Sequence, residues 1–420
     1  MNKYSVYPAQ LGTQSFGSLQ VNAVTEAGFR PVSDATVSIS YTDDPGTVIE
    51  ETTTNSVGQT DIIELPAPPI DYSLEPPTGE QPYSNYTVRV SAPGFEQVIV
   101  DGTEILPEVV AVQNTSLSEA EETAEESFVI PPHTLFGDYP PKIAEDEVKD
   151  IEETGEIVLS SVVVPEFVIV HDGPPQSPAQ NYYVRFTDYI KNVASSEIYA
   201  TWPTSSIQAN IFAILSFTLN RVFTEWYRNQ GYNFTITSST AYDHKFIPGR
   251  NYYRNIALEV DALFTNYLSR PNVIQPILTQ YCDGDTVQCP GWMTQWGSKF
   301  LGDQGYDPIE IIRYFYGEDM FINTAPIVSG VPASFPGYNL TVGSSGEPVR
   351  MIQNQLNVIS DSFPAIPKVV VDGNFGEQTA NAVSTFQSVF GLPPNGIVDF
   401  PTWYRISQIY VATSRIAELV

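Results

Sequence analysis

The sequence predicts a multidomain protein with an N-terminal β-sandwich, a central α+β domain and a small C-terminal helical domain. Three observations carry this expectation. Apolar and polar residues alternate between about residues 17 and 117, one segment near the middle is apolar on every helical face, and the last 75 residues hold short amphipathic segments separated by a glycine-rich turn. A chain of 420 residues is long enough for two to four domains with ordinary cores.

Composition narrows the partners. The chain has 49 acidic and 19 basic residues, a net charge of −30, which argues against nucleic acid and anionic membrane surfaces. Its two cysteines, Cys282 and Cys289, cannot staple a small scaffold. The first residues, Met1 to Pro8, lack an apolar h-region, and no run of about 18 apolar residues occurs, so neither a Sec signal nor a transmembrane helix is expected.

In residues 1–117, Leu19, Val21 and Ala23, then Ala35, Val37, Ile39 and Tyr41, then Tyr86, Val88 and Val90 recur at the two-residue period of a half-buried strand. Asp43-Asp44-Pro45-Gly46, Asn55-Ser56-Val57-Gly58 and Ala92-Pro93-Gly94-Phe95 supply the turns. Residues 118–156 hold 13 acidic and 2 basic residues and the breaks Pro131-Pro132 and Pro140-Pro141. Such a segment is expected to be disordered, either a solvated linker or a region that proteases reach first.

The central domain, residues 157–335, opens on the strand-like runs Ile157-Val158-Leu159 and Val162 to Val170, with Pro165 marking a turn or edge. Pro203 then starts a helix in which Ile207, Ile211, Ile214, Leu215, Thr218 and Val222 follow helical spacing while Phe212, Ala213, Phe217 and Leu219 make the other faces apolar. A helix of this kind is buried. Glu197 precedes it, beside Tyr199 and Trp202, so its carboxyl is either solvated in a strand-to-helix loop or desolvated and shifted towards a general acid. A second amphipathic helix runs from about Ile256 to Tyr267. His244, Cys282 and Cys289 fall one ligand short of a closed tetrahedral metal site, leaving a disulfide or two thiols as the readings of the cysteines. Asp307-Pro308-Ile309-Glu310 fits an N-cap with Pro at the first position and a capping acid, and Asp243, Asp283 and Asp285 read as turn residues.

Residues 336–420 are expected to form a small helical domain. Glu347 to Leu356 gives one helix, Thr379 to Gln387 a second, and Val371-Asp372-Gly373-Asn374-Phe375-Gly376 the turn between them.

These words also carry resemblances to known families. Tyr189-Ile190 to Glu197, Trp202-Pro203 and Ile207-Gln208-Ala209-Asn210, followed by Gly291-Trp292-Met293-Thr294-Gln295-Trp296-Gly297 and Gly305 to Tyr316, resemble the stage II sporulation protein D (SpoIID) family of lytic transglycosylases. Trp292 is inserted and Thr294 replaces Ser relative to that pattern. The C-terminal helices, with Gly391-Leu392, Asn395-Gly396-Ile397-Val398-Asp399 and Thr402-Trp403, resemble the three-helix peptidoglycan-binding domain (type 1). Pro31 to Val37, Thr54 to Thr60 and Tyr86 to Phe95 resemble carboxypeptidase-regulatory-like modules, which are not catalytic. The order as a whole resembles spore cortex-lytic enzymes of the SleC type.

The resemblance implies a peptidoglycan lytic transglycosylase made as a proenzyme, acting in spore cortex or cell wall during germination. Glu197 would be its catalytic acid and base, and Tyr199, Trp202, Gln295, Trp296 and Phe375 its substrate-binding residues, with no metal or cofactor. Its partners would be glycan strands and an activating protease. A non-catalytic wall-binding protein and an amidase enhancer are the alternatives.

Overall fold

The computed structural model describes residues 15–25, 30–76, 79–120, 125–133, 141–149, 161–289 and 291–414. The expected strand at Ile157-Val158-Leu159 and the N-terminal octapeptide lie outside them.

The N-terminal part holds β1 (Ser15–Thr25), β2 (Thr36–Tyr41), β3 (Val48–Thr53), β4 (Ile63–Ala67), a one-turn helix α1 (Asp71–Leu74), β5 (Ser84–Ser91), β6 (Gln97–Ile105) and β7 (Val110–Leu117). Leu19, Val21 and Ala23 alternate inward on β1, as do Val37 and Ile39 on β2 and Tyr86, Val88 and Val90 on β5. This is the period-2 pattern that buries one face of a sheet.

The described residues of the expected disordered linker, 118–120, 125–133 and 141–149, are instead packed against the fold, while the rest of residues 118–156 lies outside the described residues. Within them β8 (Glu125–Val129) pairs in parallel with β6, from Gln97↔Glu125 to Asp101↔Val129. Residues 141–149 then pass over the central domain, where Ile143 N–H donates to Ala241 C=O at 2.7 Å and Leu278 N–H to Glu147 C=O at 2.9 Å. Net charge misjudged residues 141–149 because two of their acids, Glu145 and Glu147, are paired with buried or half-buried cations. Glu145 takes a fork from Arg221 at 2.6 and 2.9 Å and Lys149 at 2.7 Å, and Glu147 takes Arg270 at 2.9 and 3.0 Å.

The central domain contains β9 (Val163–Val164), β10 (Phe167–His171), β11 (Asn181–Arg185), α2 (Phe186–Glu197), α3 (Thr204–Phe223), β12 (Ile236–Thr237), β13 (Tyr252–Tyr253), α4 (Arg254–Leu263), β14 (Asn266–Ser269), β15 (Tyr281–Cys282), β16 (Met293–Thr294), α5 (Gln295–Asp303), α6 (Pro308–Tyr316), β17 (Phe321–Thr324) and β18 (Ile327–Val328). Pro165 separates β9 from β10, and Tyr267 lies on β14 rather than on the helix expected through it. The residues before Glu197 form a helix, not a short strand. Phe186, Tyr189, Ile190, Val193, Ala194 and Glu197 are all buried and recur at steps of three and four, so one helical stripe holds them all. Helix α3 is the hub: it contacts α2, α4, α5, α6 and β14, and 17 of its 20 residues are buried. Pro203 stands one residue before it, at the cap position.

Of the two larger sheets, one crosses the boundary between the N-terminal part and the central domain. It runs β13-β7-β1-β4, so that β13 of the central domain completes a sheet of the N-terminal part; the other has the order β3-β2-β5-β6-β8.

Helices α7 (Glu347–Ser362), α8 (Glu377–Val389) and α9 (Phe400–Ser414) make the C-terminal domain. Its two loops are tied by the same device. Gln353 on α7 accepts from Gly373 N–H at 2.8 Å and donates to Asn374 C=O at 3.0 Å, while Gln387 on α8 accepts from Gly396 N–H at 2.8 Å and donates to Ile397 C=O at 2.8 Å. Both glycines have positive φ, 75° and 70°, which a side chain would strain. Trp403 donates to Ala333 C=O at 3.0 Å, anchoring α9 to the segment that enters the domain.

Candidate functional site

Glu197 closes α2, and its side chain is fully buried. One carboxyl oxygen accepts Lys245 N–H at 2.7 Å; the other accepts the Tyr281 O–H. Tyr281 is held on β15, which pairs in parallel with β16 and is linked onward by the Cys282–Cys289 disulfide, with Cα atoms 6.1 Å apart. The cysteines therefore brace the strand that carries the donor to Glu197. His244 packs beside Tyr281, its ring centroid 5.9 Å away, and its Nδ1 bonds to Tyr189 Oη at 3.0 Å.

Lys142, from the segment expected to be disordered, reaches into this cluster. Its ammonium donates to Asp243 C=O and lies 5.1 Å from the Tyr281 ring centroid and 5.3 Å from that of Phe217. Beneath it, Asp243 is held by Arg221 at 2.7 Å, Tyr227 Oη at 2.6 Å and the Thr237 N–H and hydroxyl at 2.9 and 2.7 Å. Asp243 is thus a core anchor. Asp283 caps the turn that follows it, accepting from Thr286 and Val287 N–H, and Glu310 accepts Asp307 N–H at 2.9 Å as the capping pattern requires.

Burial decides the electrostatics. It pushes the Glu197 carboxyl above the usual carboxylate range, against the opposing pull of Lys142, Tyr281 and Lys245. It also pushes Lys142 below the usual lysine value despite Glu197 and Asp243 nearby, and lowers His244. The linkage has a definite sign for Glu197. A carboxyl whose folded pKa is raised contributes stability that is present below the unfolded value of 4.5 and is lost as pH rises through the folded value. Glu197→Gln removes that loss, so the stability of the variant relative to the wild type should climb as pH rises above 4.5. Urea unfolding at a series of pH values checks this; a difference that stays flat with pH would mean the carboxyl is not shifted.

The aromatic candidates meet one another but not solvent. Tyr199, Trp202 and Trp296 form a trio with centroids 5.0 to 6.1 Å apart, and all three are buried. Trp202 donates its indole N–H to Ser73 C=O at 2.8 Å, so the N-terminal part covers it. Gln295, first residue of α5, is completely buried, and neither its amide nitrogen nor its oxygen has a hydrogen-bond partner among the described residues; the same is true of the Trp296 N–H. Phe375 is brought to none of these. It sits in the C-terminal core, 2% exposed.

Sequence reasoning missed Tyr281, Lys245 and Lys142. The last left a trace: the two lysines of an otherwise acidic stretch, Lys142 and Lys149, are both buried by the fold.

No group of three or more His, Cys, Asp or Glu converges on a metal-sized site among the described residues. The three histidines lie apart, with His133 bonded to Pro131 and Ser196 carbonyls, His171 to Asn181 and Ser177, and His244 to Tyr189. No helix of the described residues is long and apolar enough to cross a membrane.

Comparison with known proteins identifies one domain of the chain. Residues 345–406 match the family described as "Putative peptidoglycan binding domain". Zinc D-Ala-D-Ala carboxypeptidase of Streptomyces albus G is 39% identical over 71 residues, which is 17% of this chain and 26% of that protein. The chain thus spans about a quarter of the length of that relative. Among solved structures, 3-chlorocatechol 1,2-dioxygenase from Rhodococcus opacus 1CP has a TM-score of 0.18 at 8% identity, covering 27% of this chain and 63% of that one. Catechol 1,2-dioxygenase from Acinetobacter sp. ADP1 also scores 0.18, at 13% identity over 29% of this chain and 60% of that one. Scores this low carry no inference about fold or activity. The chain carries a helical peptidoglycan-binding domain at its C-terminus, which supports peptidoglycan as a partner and association with the cell wall.

Proposed function

We propose that the protein is a peptidoglycan lytic transglycosylase, held at the wall by its C-terminal domain and built in a latent form. The observation that carries the reading is the state of Glu197: a buried carboxyl, shifted towards protonation, fixed by one N–H and one O–H donor. Cleavage of a glycan beside muramic acid without water needs one such group. The protonated carboxyl gives its proton to the glycosidic oxygen as the C1–O bond breaks. The resulting carboxylate then takes the proton of the muramic C6 hydroxyl as that oxygen bonds to C1, leaving a 1,6-anhydro end and a restored acid. A hydrolase of the usual kind would call for a second carboxylate at a set separation.

The unpartnered Gln295 amide and Trp296 N–H, on the helix that follows β16, supply donors and an acceptor suited to the N-acetyl groups of such a substrate. Latency is supported by the lid of residues 141–149, whose Lys142 lies beside the buried Glu197, and by α1, whose Ser73 carbonyl holds the buried Trp202 indole. The same burial favours a second reading, in which the central domain is a non-catalytic enhancer of a wall amidase. Products distinguish the two: the first reading requires 1,6-anhydro muropeptides.

Wall binding has its own test. Fragment 336–420 keeps Leu340, whose backbone pairs with Val398 at 3.0 Å in both directions. It should pellet with insoluble peptidoglycan without the rest of the chain. Recovery in the supernatant, with the full chain in the pellet, would move the binding role to another domain.

A further inference from the structure

The sequence reads the N-terminal residues as a bead on an acidic tether, which a cut would set free. The contacts describe a different object. Tyr252 and Tyr253 of β13 pair with Val112 and Ala111 of β7, so one sheet is built from both parts. Next to it the Asn251 side chain accepts Glu104 N–H and donates to Glu104 C=O, both at 3.0 Å, as an extra rung of that ladder. The Glu104 carboxylate meets Arg250 at 2.8 Å, with both side chains buried, and Arg250 also donates to Ser196 Oγ at 3.0 Å, one residue before Glu197. His133 completes the cluster from the same side, 3.3 Å from Glu104 and 3.2 Å from the Ser196 carbonyl.

Apolar surface is shared as well. Tyr83, Ile105 and Ile130 on one side and Tyr199, Trp202 and Tyr253 on the other are all buried. Separation would expose them together with open edges at β7 and β13, the kind of surface that folded proteins keep covered.

We propose that residues 15–133 are a permanent subunit of the central domain, so that a break in the chain between His133 and Pro141 leaves two fragments associated as one particle. Glu104 is the clamp of that interface, and through Arg250 and Ser196 it positions the end of α2. This holds whatever chemistry Glu197 performs. It also means that loss of the N-terminal part cannot follow from cleavage of the linker alone.

The test uses the full chain with a protease recognition sequence placed within residues 134–140. After native cleavage, light scattering on a sizing column at micromolar protein should give a single species of the uncut mass, containing both fragments on a denaturing gel. Two separate species would overturn the proposal. In the cleaved protein Glu104→Ala leaves Arg250 buried without its partner and should raise the dissociation constant of the fragments by two to three orders of magnitude. If that variant does not fold, Glu104→Gln, which keeps the shape and one acceptor, should show the same direction with a smaller shift. An unchanged constant in the folded variant would remove Glu104 from the role of clamp.

Discussion

Glu197→Gln should fold like the wild type, bind peptidoglycan like the wild type, and lose glycan cleavage by two to four orders of magnitude. The amide is the same size and keeps the two contacts of the carboxyl: its oxygen can accept Lys245 N–H, and its nitrogen can donate to Tyr281 Oη. What it cannot do is release a proton to a glycosidic oxygen and take one back. Fold is followed by circular dichroism and binding by sedimentation with insoluble wall. Cleavage is followed by release of soluble muropeptides. Residual activity above about a tenth of wild type would put the acid elsewhere.

The largest effect on stability is expected at Arg221. Its guanidinium is buried without exposure, bonded to Asp243 on one edge and to Glu145 on the other, and stacked near the Phe217, Trp226 and Tyr227 rings at 5.0 to 5.4 Å. Arg221→Met retains much of the volume but leaves the Asp243 carboxylate buried with only neutral donors. Removing one partner from a buried pair costs about 3–5 kcal/mol. The loss should appear as a lower urea midpoint for the central domain, accompanied by release of residues 141–149, because Glu145 loses its fork at the same time. A midpoint within about 0.5 kcal/mol of wild type, the range of an ordinary surface change, would mean the network is not structural.

Much of the organisation was legible in the sequence. The period-2 alternation of Leu19, Val21 and Ala23 and the all-round apolarity of Ile207 to Val222 report burial directly, because burial is what those patterns encode. The capping pair Asp307 and Glu310 was legible for the same reason, its partners lying three residues apart. Glu197 was singled out as a carboxylate beside aromatics, and the fold does bury it. Its surroundings were not readable. Tyr281 is 84 residues away in sequence, and Lys142 lies 55 residues earlier in a stretch whose composition argues for disorder. Composition averages over charges; structure pairs them singly, and Glu145 with Arg221 or Glu147 with Arg270 cannot be seen in a net count. The strand-to-helix loop expected at Glu197 is instead the end of a helix, because the buried run from Phe186 to Glu197 follows the helical period. Phe375, which the resemblance implies as a substrate-binding residue, is buried in the core of the C-terminal domain.

The role proposed for Glu197 is cleavage of glycan strands without water. Purified peptidoglycan should be digested with the protein after limited proteolysis between residues 150 and 160 and dissociation of the N-terminal fragment in mild denaturant, and the soluble products analysed by mass spectrometry. The expected products are muropeptides ending in 1,6-anhydromuramic acid, produced by the wild type and absent with Glu197→Gln. Products with reducing ends, or anhydro products in equal yield from Glu197→Gln, would contradict it.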